Sequence, residues 1–194
     1  MSIEYRNSEG VTIHDTDSAE LVEVATKIQE LRNIAKQASR VHGHSIAAIN
    51  NDDGLSDQGK GERIADLEAS RKVWRTEAMQ KEKKVIADKI TALERRLDGY
   101  VGYSSDNIMA FRDAQDRAEA IDDADRAATV MARALRTGDK TLAHALYRRA
   151  VDNRWAEARS AFAQDNPTVA ALVNDVHLLQ KLHDDSFNRA VAYM

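Results

Sequence analysis

Histidines and carboxylates are the residues of this chain whose types could carry chemistry. His42 and His44 flank Gly43 and are followed by Asp52 and Asp53, types that hold a divalent metal when a loop gathers them. No third ligand stands at a defined spacing, so they read as exposed polar residues of a glycine-containing loop. His177 and His183, six positions apart, fall on different faces of any helix, and no Glu-x-x-His pair is present to build a di-iron bundle. Asp122, Asp123 and Asp125 lack the glycine and closing glutamate of a calcium loop and read as a solvated helix start. Gly54 to Gly61, "GLSDQGKG", has the glycine and lysine spacing of a phosphate loop. Gly61 stands where a magnesium-binding Ser or Thr belongs, and "INNDD" before it is no buried strand. No Ser, His and Asp share a strand-turn-helix setting that would expose a nucleophile. The sequence therefore assigns no catalytic residue, no metal and no cofactor, and the protein reads as a non-enzyme.

Composition points the same way. Of the residues 43% are hydrophobic but only 5% aromatic, with one proline and eight glycines, which favours long helices cored by Ala, Leu, Val and Ile. The 28 basic and 32 acidic residues leave a net charge of −4, which argues against direct nucleic-acid binding as the main task. Zero cysteines exclude a disulfide scaffold and a thiolate site and agree with a reducing compartment. The chain reads as lacking a signal peptide and any apolar run long enough to span a bilayer, so no membrane partner is expected.

The expected fold class is all-α, a long coiled-coil-like helical hairpin followed by a C-terminal antiparallel helical bundle or short solenoid. Residues 1–17 lack helical periodicity and read as an extended arm, or as a short strand or turn on the same subunit, with Ile3, Tyr5, Val11 and Ile13 as scattered apolar contacts. Asp17 and Glu20 have the spacing of a capping box, and Leu21, Val24, Ile28, Leu31, Ala35, Ala38 and Val41 follow at three- and four-residue spacing, predicting a helix over 18–42. A turn-forming stretch to residue 55 is expected next, with one helical turn allowed at Ile46 to Ile49.

Residues 56–98 then read as one rod of roughly 60 Å. Ser56 caps it, and Gly99 and Gly102 close it at a hinge over 99–103. Ile64, Leu67, Trp74, Ala78, Val85, Ile90, Leu93 and Leu97 form its apolar seam, with Arg71 filling one position. Its middle, Arg75 to Lys84, offers only Ala78 and Met79 to a core. Lys81, Lys83 and Lys84 beside Glu77, Glu82 and Asp88 read there as a solvated, charge-paired face rather than a phosphate track.

In the bundle, 104–194, Ser104 or Ser105 caps a run to Thr137, with a break and restart allowed at 122–125. Gly138 stops that run and Asp139 caps the next helix. A turn near Asn153 leads to "WAEARSAFAQ", and Pro167 begins a helix running through Leu172, Val176, Leu179, Leu182 and Val191. Short connections imply antiparallel neighbours. The arm and the helical hairpin are expected to contact a partner protein through Ile3, Tyr5, Leu21, Ile28, Leu31, Trp74, Ile90, Leu93 and Leu97, while Trp155 is read as a core or interface anchor.

"LSDQGKGERIADLEASRKVWRTEA" together with "ALRTGDKTLAHALYRRAVDNRWAEARSAFAQDNPTVAALV" resembles a group of all-helical virion-assembly proteins of tailed bacteriophages of actinobacteria. In that group a Leu-Ser-x-x-Gly-Lys start leads into a long charged helix. A Gly-Asp with Leu-Ala, then a tryptophan and an Asn-Pro, mark the C-terminal helices. The likeness covers about two thirds of the chain and leaves out the N-terminal arm. It implies a structural role at the head, the head-to-tail joint or the tail, as a homo-oligomeric copy in a ring or lattice contacting other virion proteins, with the virion as location. A soluble dimeric helical adaptor binding a protein partner is the alternative that the residues themselves leave open.

Overall fold

The computed structural model describes residues 5–6, 12–13, 18–101 and 108–194. The fold is all-α. Among the described residues the helices are α1 (Ala19–Asn50), α2 (Asp57–Val101), α3 (Ile108–Glu119), α4 (Ala124–Thr137), α5 (Lys140–Asp152), α6 (Ala156–Asp165), α7 (Pro167–Asp184) and α8 (Ser186–Ala192). Before them β1 (Tyr5–Arg6) pairs antiparallel with β2 (Thr12–Ile13), Tyr5 opposite Ile13. Of the proposed 1–17 arm only these four backbone positions are described, and they form a minimal ladder. Ile3, Val11, Asp17, Gly102, Ser104 and Ser105, singled out from the sequence, lie outside the described residues.

The chain divides into two compact units, one of residues 1–88 with 182–194 and one of 89–181. The division passes through α2 and α7, and Gly99 stays helical, so α2 ends at Val101, while 102–103 of the expected hinge lie outside the described residues. A glycine inside a helix costs only about 1 kcal/mol relative to alanine, which neighbouring burial at Leu93 and Leu97 readily offsets.

In the first unit α1 and α2 run antiparallel. Pairs between them are Asn50 with Lys60, His42 with Glu68, Ser39 with Arg71 and Arg32 with Glu82, the first number falling as the second rises. The first helix does not stop at Val41 or His42, as its stripe predicts, but continues through Gly43 to Asn50. Ile46 and Ile49 are half-buried there, and the Lys60 ammonium donates to the Asn50 carbonyl at 2.9 Å, a cation at the negative end of the helix. The turn is then tight. Gly54 N–H donates to Asp52 Oδ1 at 2.9 Å, and Gly59 N–H to Ser56 Oγ at 3.2 Å, so Ser56 caps α2 as expected.

The second unit is built around α5. Leu142 through Tyr147 are buried without a gap, because this helix is enclosed on all sides rather than along one stripe. It packs on α3, α4 and α6, and α4 also packs on α6. Ala127, Ala134, Ala143, Ala150 and Ala158 are buried at these contacts, and such small side chains let helix backbones approach closely. The Tyr147 and Phe162 rings stack with centroids 4.3 Å apart. The break allowed at 122–125 is present, with Asp123 accepting from Arg126 N–H at 2.7 Å, and Asp139 caps α5 by accepting from Leu142 N–H at 3.0 Å.

One expected continuity fails. The last helix does not run through to Val191; it ends at Asp184, and Asp185 starts α8 by accepting from Asn188 N–H at 3.1 Å. Between α4 and α5, Gly138 adopts φ +71°, where a side chain is strained although nothing lies within 4 Å of an added Cβ. Gly138→Ala is therefore expected to cost about 1 kcal/mol from backbone strain alone, read as a lowered thermal midpoint.

Candidate functional site

The charge-rich middle of α2 is solvated at Glu77, Lys81, Lys83, Lys84 and Asp88, as expected, but not at Glu82. Glu82 is 0% exposed and lies on the buried side of the helix, in line with Ala78 and Ile86. Arg32 of α1 clasps its carboxylate in two hydrogen bonds, Nε at 2.9 Å and Nη2 at 2.7 Å. A second guanidinium, Arg189 of α8, stands with Nε 3.4 Å from the same carboxylate and donates through Nη2 to the carbonyls of Leu182 and His183, at 2.7 and 3.0 Å. Those carbonyls end α7, where the helix dipole is negative, so both partners of Arg189 favour its charge. Glu82, expected on the surface, is buried because two arginines from distant segments meet its carboxylate at a seam position. Lys84 does form the expected surface pair, with Asp88 at 3.0 Å.

A patch of core next to this triad is made by Ala35, Ala78 and Tyr193, with Trp74, Met79 and Ala192 against it. Beyond Trp74 the two helices leave an open apolar groove of about 450 Å³, lined by Ile34, Ala38, Val41, Leu67 and Trp74 with Arg71 and His42 at its rim. Ile34 is 56% and Val41 61% exposed, so large aliphatic side chains face solvent at its edge. Arg71 lies over the Trp74 ring, 4.6 Å from its centroid, and donates to Ser39 Oγ. Its pKa is held below the ordinary value by burial first and by the Arg75 charge second, against the opposing pull of Glu68.

In the second unit a polar cavity of about 330 Å³ is lined by Glu94, His144, Arg148, Arg149, Asp152 and His177 among others. Arg148 pairs with Glu94, Arg149 Nε donates to the Ile121 carbonyl at 2.6 Å, and His177 meets Asp152 at 3.2 Å. His144 is 1% exposed, and neither ring nitrogen meets a protein hydrogen-bond partner. Burial, with the Arg148 charge one turn along, pushes its pKa down from 6.5 to about 4. Between those values the unfolded chain binds a proton that the folded chain refuses, so stability is full above about pH 6.5 and is lost as pH falls towards about 4. The loss attributable to this group is about 3 kcal/mol. In His144→Leu that part of the slope is expected to disappear, measured as the difference between wild-type and variant urea midpoints at pH 7 and pH 4.5.

Comparison with known proteins finds no matching family model, no matching curated protein and no matching solved structure.

The residues weighed from the sequence for chemistry do not converge. His42 lies on α1 rather than on a loop and meets Glu68 at 3.1 Å, His44 is exposed on the same helix, and Asp52 is occupied by the Gly54 N–H. Among the described residues no three His, Asp or Glu side chains gather as a metal site. The phosphate-loop string is half turn and half helix, Gly54 to Ser56 preceding α2 and Asp57 to Gly61 forming its first turn. Of the expected partner contacts, Leu21, Ile28, Leu93 and Leu97 have side chains buried within the chain. Leu31, Trp74 and Ile90 are half-buried, and only the backbone of Tyr5 is described. Trp155 is half-buried, with Arg149 5.7 Å from its ring. Sequence reasoning missed Glu82, Arg189 and His144. The interruption of the α2 seam by Glu82, four after Ala78 and four before Ile86, was the available signal for the first.

Proposed function

We propose that this protein is a non-enzymatic structural component of a tailed-phage virion, at the head, the head-to-tail joint or the tail, working through helix-mediated contacts with its own copies and with other virion proteins. The observation that carries the contact mode is the open apolar groove between α1 and α2, where Ile34 and Val41 stay more than half exposed while the helices around them have a filled core. Exposed apolar surface of this kind costs solubility unless a partner covers it. The likeness of the Leu-Ser-x-x-Gly-Lys helix start and of the Gly-Asp and Asn-Pro helix caps to actinobacteriophage virion-assembly proteins supplies the setting.

The test is mass in solution against concentration, together with mass spectrometry of mature particles. A monomer that assembles on a ring-shaped virion partner and is present in mature particles supports the reading. A discrete dimer at all concentrations, absent from particles, overturns it in favour of an adaptor. Presence in immature but not mature particles would make the protein a departing scaffold.

A further inference from the structure

The polar cavity of the second unit is lined only by residues between 94 and 180, so it belongs to that unit alone. Its apolar wall is made by Phe111 and Ala118 of α3 and by Val173 and Val176 of α7, each pair spaced for one face of its helix. His144 adds no charge to that wall, since an imidazole with a pKa of about 4 is unprotonated at neutral pH. The charged side chains around the same space are mostly answered. Glu94 is paired with Arg148, and Asp152 meets His177. Two are left, Arg149 and Glu119, and neither makes an ion pair among the described residues. Arg149 is nonetheless held in place, its Nε donating to the Ile121 carbonyl at 2.6 Å and its guanidinium carbon lying 5.7 Å from the centre of the Trp155 ring. Its two terminal nitrogens, the edge that grips a carboxylate in parallel hydrogen bonds, stay open, and a planar group fixed in this way loses little freedom when an anion arrives. Glu119 is the last residue of α3, two before the carbonyl that anchors Arg149, and the negative end of a helix favours a cation there.

We infer that this cavity binds a free α-amino acid with an aliphatic or aromatic side chain, its carboxylate on the terminal nitrogens of Arg149, its ammonium on Glu119 and its side chain against Phe111, Val173 and Val176. An open cation and an open anion on one cavity, beside an apolar wall, suit a ligand that carries both charges on one carbon. A simple carboxylic acid or a simple amine leaves one of the two lining charges unanswered, and a peptide terminus carries only one of the two groups. The volume of about 330 Å³ lies within the range of small-molecule sites. Such a site goes beyond the virion role and does not depend on it.

Isothermal titration calorimetry of the full chain at neutral pH with L-leucine and L-phenylalanine is the test, beside leucinamide, which lacks the carboxylate, and 4-methylpentanoate, which lacks the ammonium. Expected is saturable binding of at least one of the amino acids, with Kd below about 1 mM, and binding of both analogues weaker by about tenfold or more. Arg149→Gln is expected to weaken the amino acid by about tenfold or more, and Glu119→Gln by about threefold or more. Glu119 is exposed and makes no ion pair, so Glu119→Gln leaves the fold intact even where loss of the Ile121 contact loosens Arg149→Gln. No saturable binding of either amino acid, an analogue that binds as tightly as leucine, or an unchanged affinity in either variant overturns the assignment.

Discussion

Glu82→Ala is expected to lower folding stability by about 3–5 kcal/mol, the largest loss available from a single polar residue of the first unit. The carboxylate is wholly buried and receives two hydrogen bonds from Arg32, with Arg189 close on its other side. Removing it leaves two guanidinium groups out of water and facing each other. Arg189 keeps the carbonyls of Leu182 and His183, which soften but do not remove the penalty. The matched comparison is the triple replacement Arg32→Met, Glu82→Leu and Arg189→Met, expected to lie within about 1 kcal/mol of the wild type or above it, because apolar packing of similar volume needs no desolvated charge. Urea unfolding followed by Trp74 fluorescence measures both. A single-variant loss below about 1 kcal/mol would mean that water reaches the triad in solution.

Tyr193→Ala is expected to cost a similar amount, about 3–5 kcal/mol, through lost apolar burial and the cavity left behind. Its ring is 0% exposed, seated against Ala35 and Ala78. Ser39 Oγ donates to the Met194 carbonyl at 3.0 Å and holds the next residue. The two alanines are what admit the ring, so Ala78→Leu is expected to destabilise by about 1–3 kcal/mol through overpacking. Tyr193→Phe separates the ring from the hydroxyl and is expected to retain most of the stability. If removing residues 193–194 left the Trp74 unfolding midpoint unchanged, the C-terminal segment would be unseated in solution and α8 would contribute nothing to the hairpin.

The two units are expected to report separately, since Trp74 belongs to the first and Trp155 to the second. Single-tryptophan variants therefore assign each loss to its unit, and the His144 pH effect belongs on the Trp155 signal alone.

Local signals determined much of this protein by themselves. The apolar spacing at Leu21, Val24 and Ile28, the caps at Ser56, Asp123 and Asp139, and the stops at Gly138 and before Pro167 are events within a few residues of chain, where hydrogen bonding and backbone strain act without help from elsewhere. That is why the all-α class, the hairpin and most helix boundaries were legible. What only the tertiary structure decided involves partners far apart in sequence. Glu82 reads as a surface residue until Arg32 and Arg189 meet it, fifty and more than a hundred positions away. His144 reads as one polar residue on an amphipathic helix until α3, α4 and α6 surround α5. Gly43 reads as a loop residue and Gly99 as a stop, yet both stay helical, since packing of neighbouring residues outweighs a helix penalty of about 1 kcal/mol. Burial of charge depends on which segments converge, and convergence is a property of the fold that no local window of residues contains.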